Sequence, residues 1–234
     1  MMHDNISVSV ILPAYNEAKN LSVILPELNT VLLSTGLTYE VIVVDTKIPQ
    51  DNTQEICHAL HVRYINRKAT DSFGDAIRTG IAEARGYYVI FMDADGSHDP
   101  HFILKMLEKR SQADIIIASR YIQGGRTENM WLLVLMSRVL NFIYSIVLGI
   151  NCADISNNFK LYKRDMLITL NLRSQNFDIV EEILFKIVKT FPSVKIMEIP
   201  FYFERRRFGK TKRNLFSFII SFVVTLFKLR FMYK

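Results

Sequence analysis

Short apolar runs alternate with amphipathic stretches over the first half of the chain. The runs that are predicted to be strands are residues 8–12, 39–44, 62–65, 87–92 and 114–118. The helical patterns between them cover about 17–33, 54–60, 75–84 and 100–110. Such alternation predicts an α/β fold with a doubly wound, mostly parallel sheet and helices on both faces.

The pattern changes after Gly124 and Gly125. Longer helices are predicted at about 131–149 and 178–190, followed by strand-like residues 195–203. We therefore predict that residues 1–203 form the main domain and that residues 204–234 form a separate tail.

Two apolar stretches raise the question of a membrane. Residues 131–150 contain Arg138 near their middle, which would cost about 3 kcal/mol at a bilayer centre. A buried or interfacial helix is therefore favoured over a span. Residues 215–227 are too short to span and have Lys or Arg on both sides, which favours a basic amphipathic helix at a membrane interface. Docking of that helix on the protein's own core is the alternative.

Charge is unevenly distributed along the 234 residues. The net charge is +6, yet residues 204–234 hold nine of the 29 Lys and Arg and one of the 23 acids. The preceding residues thus carry 20 bases and 22 acids, and the tail also holds many Phe. A basic, aromatic end predicts a membrane surface or a phosphate-bearing partner. A nucleic-acid binder is disfavoured because the body is acidic and shows no recognisable module.

Cysteine usage and the first residues predict the compartment. Cys57 and Cys152 form no CxxC motif, which favours a reducing cytosol. The start of the chain is polar, and its first apolar run is too short for a signal peptide. We expect a cytoplasmic protein held at the periphery of the cytoplasmic membrane face.

Acidic side chains follow the predicted strands. Glu17, Asp45, Asp93 and Asp95 should converge, because the carboxyl ends of parallel strands form one edge of a sheet. Clustered carboxylates favour a cation, and oxygen ligands suit Mg²⁺ or Mn²⁺ shared with phosphates. A metal–diphosphate site, hence a nucleotide site, is the resulting hypothesis. The alternative is that the Asp residues satisfy turns and helix starts.

Several motifs together resemble a known family. They are Pro-Ala-Tyr-Asn-Glu at 13–17, Val-Val-Asp at 43–45, Met-Asp-Ala-Asp-Gly-Ser-His-Asp-Pro at 92–100, Ala-Ser-Arg-Tyr and Gly-Gly within 118–125, Glu-Ile-Pro-Phe at 198–201, and Phe-x-x-Arg-x-x-Gly-Lys-Thr-Lys at 203–212. In order and spacing they are similar to GT-A-fold (Rossmann-like) glycosyltransferases of family 2, of the dolichyl-phosphate mannosyltransferase-like branch.

The resemblance implies roles for individual residues. The base and ribose of a nucleotide sugar would contact Pro13, Tyr15, Glu17, Val43 and Asp45. The ribose and diphosphate would lie along Asp93, Ala94 and Asp95, with the metal at Asp95 and Ser97. The phosphates of donor or acceptor would meet Arg120, Arg206 and Lys212. Catalysis would depend on Asp93, Asp95 and Arg120.

The implied reaction is metal-dependent, inverting transfer of a mannose- or glucose-type hexose. The donor would be a GDP- or UDP-hexose and the acceptor a polyprenyl or dolichyl phosphate. A phosphate monoester is largely dianionic at neutral pH, so it needs no dedicated base to attack the sugar. Arg206 and Lys212 would draw the lipid phosphate in, while the tail contacts headgroups.

Three segments of the chain depart from the family pattern. The second Asp after the second strand is replaced by Thr46, in a loop one residue longer. The family's Gly-Phe-Arg is Asn158-Phe159-Lys160. An Arg expected shortly after Trp131 is absent, with Arg138 the nearest substitute. These changes favour a variant sugar or acceptor, or reduced activity.

Two other functions stay open. One is a family 2 transferase acting on a saccharide or a lipid-linked oligosaccharide, which would need a carboxylate base such as Glu182 or Asp154. Glu182 is equally compatible with an ordinary exposed helix position. The other is a non-catalytic membrane-associated homologue.

Overall fold

The computed structural model describes residues 6–208 and 223–232. The strands are β1 (Val8–Pro13), β2 (Tyr39–Asp45), β3 (Arg63–Asn66), β4 (Tyr88–Phe91), β5 (Ile115–Ser119), β6 (Arg126–Thr127), β7 (Lys160–Lys163), β8 (Ile196–Pro200) and β9 (Tyr202–Phe203). The helices are α1 (Ala18–Ser34), α2 (Thr53–Ala59), α3 (Phe73–Glu83), α4 (Phe102–Lys109), α5 (Trp131–Leu148), α6 (Arg164–Ile168) and α7 (Ile179–Thr190).

Seven strands form the central sheet in the order β3-β2-β1-β4-β7-β5-β8. Only β7 runs antiparallel to its neighbours β4 and β5. The predicted mostly parallel α/β sheet is thus confirmed, but β7 was missed. Its residues start with the fully buried Lys160, so the strand lacks the apolar run that identified the others. The short strands β6 and β9 pair separately as a small ribbon.

Helices cover both faces of the sheet, as predicted. On β1, Val10 and Leu12 belong to the core under α1 and α4, whereas Ile11 between them belongs to the core that includes α3, α5 and α7. This follows from the two-residue period of a strand, whose successive side chains point to opposite faces. The parallel strands are apolar on both sides for the same reason.

Helix α5 is mostly exposed, so the expectation of a buried helix is wrong, while the expectation of an interfacial helix stays a prediction. By length and composition it is the one helix among the described residues that could cross a membrane, and 17% of it is buried. Only Asn141, Tyr144 and Leu148 are buried along it. The helix ends at Gly149, whose φ of 67° is a left-handed conformation that glycine adopts without strain.

The last described segment is helical from 223 and becomes a π-helix over Lys228–Met232. Thr225 and Leu229 are buried, and Leu229 packs with the core that contains α5 residues. Val223, Phe227 and Phe231 are exposed. Most of the predicted interfacial helix, 215–222, lies outside the described residues, so the basic amphipathic helix stays a prediction.

Candidate active site

The first group of predicted residues lies where β1 and β2 end. Pro13 and Asp45 are the last residues of these strands, and Pro13 pairs with Val44 across them. Pro13 and Val43 are buried, so the Val43 side chain packs in the core. Tyr15 is 46% exposed and follows at the rim. At this edge the Tyr15 ring is therefore accessible to a ligand, whereas Pro13 and Val43 are buried.

Asp45 is buried within a hydrogen-bonded group. Its Oδ2 accepts from the Tyr64 hydroxyl at 3.1 Å, and Tyr64 in turn accepts from Asn66 at 3.0 Å. Burial raises the pKa of Asp45, although hydrogen bonds lower it in part. The variant residue Thr46 points back, because its hydroxyl donates to the Ile48 carbonyl at 2.8 Å. The unusual loop after β2 is thus closed by its own side chains.

The Asp93-Ala94-Asp95 segment follows β4 as a tight turn. Asp95 Oδ1 accepts from the Ser97 amide at 3.0 Å and from the Ser97 hydroxyl at 2.6 Å. Gly96 has a φ of 83°, and a Cβ there would lie 2.6 Å from Cγ of Arg207. One carboxylate oxygen of Asp95 therefore satisfies the turn, as the alternative interpretation of this motif predicted. Among the described residues, no hydrogen bond reaches its Oδ2.

Residues 204–208 lie across this turn. The Arg207 amide donates to the Asp95 carbonyl at 2.9 Å, and the Glu204 amide donates to the Ser97 carbonyl at 3.2 Å. Arg206 forms an ion pair with Glu17 at 2.5 Å. Burial raises the pKa of Glu17, and Arg206 partly offsets that. Two residues predicted for different parts of the ligand thus pair with each other, and their roles at a ligand stay predictions.

Lys212 lies outside the described residues, so its predicted contact with phosphate is not addressed by the structure. The division of the chain at residues 203 and 204 likewise stays a prediction.

Arg120 directly follows β5 and forms a bidentate ion pair with Asp154. Nε and Nη2 of Arg120 donate to the two Asp154 oxygens at 2.8 and 2.7 Å. Burial disfavours the charge of Arg120, but the Asp154 carboxylate more than compensates and raises the arginine pKa. Asp154 is itself fixed, because its amide donates to Glu198 at 3.0 Å. Arg120 is therefore a cation of fixed orientation.

Neither candidate carboxylate base is available. Asp154 is fully buried in its pair with Arg120. Glu182 is also fully buried, so its interpretation as an exposed helix residue was wrong. Its oxygens accept from the amides of Arg173 and Ser174 and from Lys186. Both residues hold main chain or a cation in place, which leaves neither free to take a proton from an acceptor.

Two residues that contact Asp93 were not recognised as site residues. Asn158 donates to Asp93 Oδ1 at 3.0 Å. His98, interpreted from the sequence as a turn residue, is fully buried and stacks on Phe159 with ring centroids 4.7 Å apart. Burial lowers the His98 pKa, which favours the neutral ring. Only the departure at Asn158 gave any signal in the sequence.

A pocket of about 1000 Å³ adjoins this edge between the β6–β9 ribbon and the start of α5. Arg120, Arg126 and Arg138 line it together with the apolar Trp131 and Leu135. It therefore combines positive charge with an apolar wall, and Arg138, the nearest substitute for the Arg expected after Trp131, is one of its lining residues.

The donor atoms at the Asp95 turn fit a hard divalent cation. Asp95 offers Oδ2, and Ser97 offers a hydroxyl oxygen beside it, while the His98 ring uses Nδ1 to accept from the Asp93 amide. Oxygen donors without thiolate or imidazole suit Mg²⁺ or Mn²⁺, which share their shell with phosphates and water.

A second set of potential ligands lies nearby. Glu27, Asp99 and His101 bring ligand atoms within 4.8 Å of one another. His101 is 61% exposed and its Nδ1 lies 3.1 Å from Asp99, so these groups satisfy one another in solvent. Mutual hydrogen bonding explains this set without a metal.

Residues 9–170 match the family described as Glycosyl transferase family 2. The chain belongs to this family. It is 32% identical over 222 residues to a dolichol-phosphate mannosyltransferase of Pyrococcus furiosus. The aligned region covers 91% of this chain and 61% of that protein. It is 30% identical over 220 residues to an undecaprenyl-phosphate mannosyltransferase of Micrococcus luteus, covering 88% of this chain and 87% of the relative. The chain thus spans about three fifths of the length of the Pyrococcus relative.

Solved structures confirm the GT-A glycosyltransferase fold. Glucosyl-3-phosphoglycerate synthase from Mycobacterium tuberculosis, in complex with Mn²⁺, UDP and glucosyl-3-phosphoglycerate, aligns with a TM-score of 0.74 at 18% identity. It covers 95% of this chain and 79% of the synthase. The same enzyme with Mg²⁺ and UDP aligns with a TM-score of 0.73 at 19% identity.

Proposed function

We propose that this protein transfers a hexose, of mannose or glucose type, from a GDP- or UDP-hexose to a polyprenyl phosphate, with inversion and a divalent cation. The family membership and the names of its mannosyltransferase relatives support the reaction class. The observation that carries the proposal is the pocket at Arg120, whose lining combines arginine side chains with an apolar wall. Such a pocket suits a phosphate that carries a hydrocarbon chain.

Each side of the reaction has its own residues in this proposal. The donor lies over Tyr15 and along Asp93 and Asp95. Asp95 and Ser97 would hold the Mg²⁺ or Mn²⁺, which would offset the negative charge that develops on the leaving diphosphate. Arg120 presents a charge whose orientation the Asp154 pair has already fixed. Preorganised charge of this kind stabilises a transition state without reorganisation cost.

The acceptor phosphate acts as its own nucleophile. Its largely dianionic form at neutral pH requires no proton removal. Burial and engagement of Asp154 and Glu182 favour this route over a saccharide acceptor, whose hydroxyl would need a carboxylate base.

The apolar side of α5 and the C-terminal helical segment forms the proposed membrane surface. Its exposed side chains are Trp131, Leu135, Val139, Phe142, Ile146, Val223, Phe227 and Phe231. An exposed apolar surface that shares Trp131 and Leu135 with the acceptor pocket suits a bilayer interface. The protein then acts peripherally on the cytoplasmic membrane face, with the tail from residue 204 as a membrane-facing unit.

The test is incubation of the full chain with labelled GDP-mannose, GDP-glucose or UDP-glucose, Mn²⁺, and either polyprenyl phosphate or an oligosaccharide acceptor. Lipid-extractable label with one donor is the expected result. Label on the oligosaccharide alone supports the saccharide acceptor instead. Absence of transfer with every pair contradicts a catalytic role.

A further inference from the structure

Asn158 provides a specific hydrogen bond to the first Asp of the strand-end turn. It lies two residues before β7, which pairs with β4, so the sheet brings it beside Asp93. Asn158 is 8% exposed, and its Nδ2 donates to Asp93 Oδ1 at 3.0 Å. The Asp93 side chain is 30% exposed, so the carboxylate is held from the buried side while remaining open to a ligand.

His98 borders the other oxygen of Asp93. Nδ1 of His98 accepts from the Asp93 amide at 2.9 Å, so the neutral ring carries its proton on Nε2. That Nε2 lies 3.8 Å from Asp93 Oδ2 and has no hydrogen-bond partner within the part of the chain that the structure describes. The imidazole therefore borders Asp93 without binding it, and Asn158 supplies the direct hydrogen bond.

The loop that carries Asn158 is anchored independently. Asn157 donates to the Ala118 carbonyl at 2.6 Å. The buried Lys160 ammonium donates to the carbonyls of Ile155 and Asn157. Because these contacts fix the main chain on both sides, the Asn158 amide has little freedom to follow a moving carboxylate.

The loop that carries Asn158 also binds the positively charged Arg120 through Asp154. Asp154 binds Arg120, and Asp93 is close enough to Arg120 to contribute to its raised pKa. Loop 154–158 therefore supplies both Arg120 and Asp93 with a hydrogen-bond partner.

We propose that Asn158 is a positioning residue of this chain, which holds the partly exposed Asp93 carboxylate in a fixed orientation for the nucleotide. This inference rests on the proposed function, in which Asp93 meets the donor. One hydrogen bond to a charged group corresponds to about a tenfold change in affinity or more. Loss of the Asn158 amide should therefore weaken binding of the donor nucleotide.

The test compares wild type with Asn158→Ala and Asn158→Gly. Titration calorimetry with GDP or UDP and Mn²⁺ measures nucleotide binding without turnover, and steady-state kinetics separate KM for the nucleotide sugar from kcat. Both variants should raise the nucleotide Kd and KM about tenfold, with a smaller change in kcat. Asn158→Asp keeps the shape but sets a second carboxylate against Asp93, and should weaken binding further.

Asn141→Ala is the matched control. Asn141 is buried and holds the same loop through Ser156, accepting from its amide at 3.0 Å, without contacting Asp93. It should lower the thermal midpoint while leaving Kd unchanged. Wild-type Kd and KM in the Asn158 variants, or equal losses in the Asn141 control, would overturn the inference. If wild type binds nucleotide but transfers no sugar, the proposed function fails while the calorimetry still judges Asn158.

Discussion

The strand-end edge and the exposed side of α5 treat their side chains in opposite ways. At the edge, Arg120 and Glu17 each have a partner of opposite charge, and Asp93 has an amide donor. Along α5, Trp131 and Phe142 are exposed at 75% and 66%. The polar groups of the edge are thus held in position by other side chains before a ligand arrives. The apolar side chains of α5 are instead left largely uncovered by the described residues. The first arrangement suits chemistry and the second suits attachment.

The largest expected effect is on the edge. Asp95→Asn keeps the acceptor for the Ser97 amide and removes the charge. We expect kcat to fall about 1,000-fold, because charge stabilisation at the leaving diphosphate is lost. Electron paramagnetic resonance of Mn²⁺ with nucleoside diphosphate should show weaker metal binding. Asp99→Asn, close by in an exposed turn, is the control and should retain activity.

The second prediction compares how much the buried ion pair of Arg120 and the partly exposed ion pair of Lys163 contribute to stability. Asp154→Asn leaves the buried Arg120 without a counter-charge, which should lower the free energy of unfolding by about 3–5 kcal/mol. Asp114→Asn removes a partly exposed pair with Lys163 and should cost under about 1 kcal/mol. Urea denaturation of both variants checks this. Equal losses would show that Arg120 is solvated rather than fixed.

Changes on the exposed side of α5 should affect membrane attachment and leave sugar transfer unaffected. Phe142→Asp combined with Ile146→Asp places two charges on its exposed side. We expect flotation with anionic vesicles to be lost while transfer to a short, water-soluble polyprenyl phosphate continues. Leu33→Asp changes an equally exposed apolar residue of α1 and should still float. Unaltered flotation of the double variant would move the membrane contact elsewhere.

The smallest effect concerns the loop beneath the edge. Burial lowers the pKa of Lys160 to about 8, from 10.5. Between these values the unfolded chain keeps a proton that the folded protein has lost, so stability rises with pH there. Relative to Lys160→Met, wild type should gain about 1 kcal/mol per pH unit between pH 8 and 9.5. Lys163→Met on the same strand should show no such gain, because Asp114 raises the Lys163 pKa.

The sheet edge was largely predictable from sequence, and its internal contacts were not. Apolar runs identified five parallel strands, and their order in the chain placed Asp45 and Asp93 at one edge. Strand β7 escaped because Lys160 stands where an apolar residue was expected. The pairing of Arg120 with Asp154 spans 34 residues and depends on that missed strand. No local periodicity encodes such a contact.

The exposed side of α5 shows the opposite limit. Hydrophobic composition located the helix, yet composition alone could not decide which of its sides is covered. Burial of Tyr144 and Leu148 against the core leaves Phe142 and Ile146 outward. Those directions follow from helical spacing only once the packed side is known.

Transfer to a lipid phosphate compared with the matching lipid alcohol tests the central claim most directly. The wild-type chain, with its preferred labelled nucleotide sugar and Mn²⁺, is given polyprenyl phosphate or polyprenol of the same length. The account predicts a polyprenyl phosphate hexose, identified by mass spectrometry and equal in amount to the nucleoside diphosphate released, with no product from polyprenol. Equal transfer to polyprenol, or hexose found only on a saccharide acceptor, would contradict it.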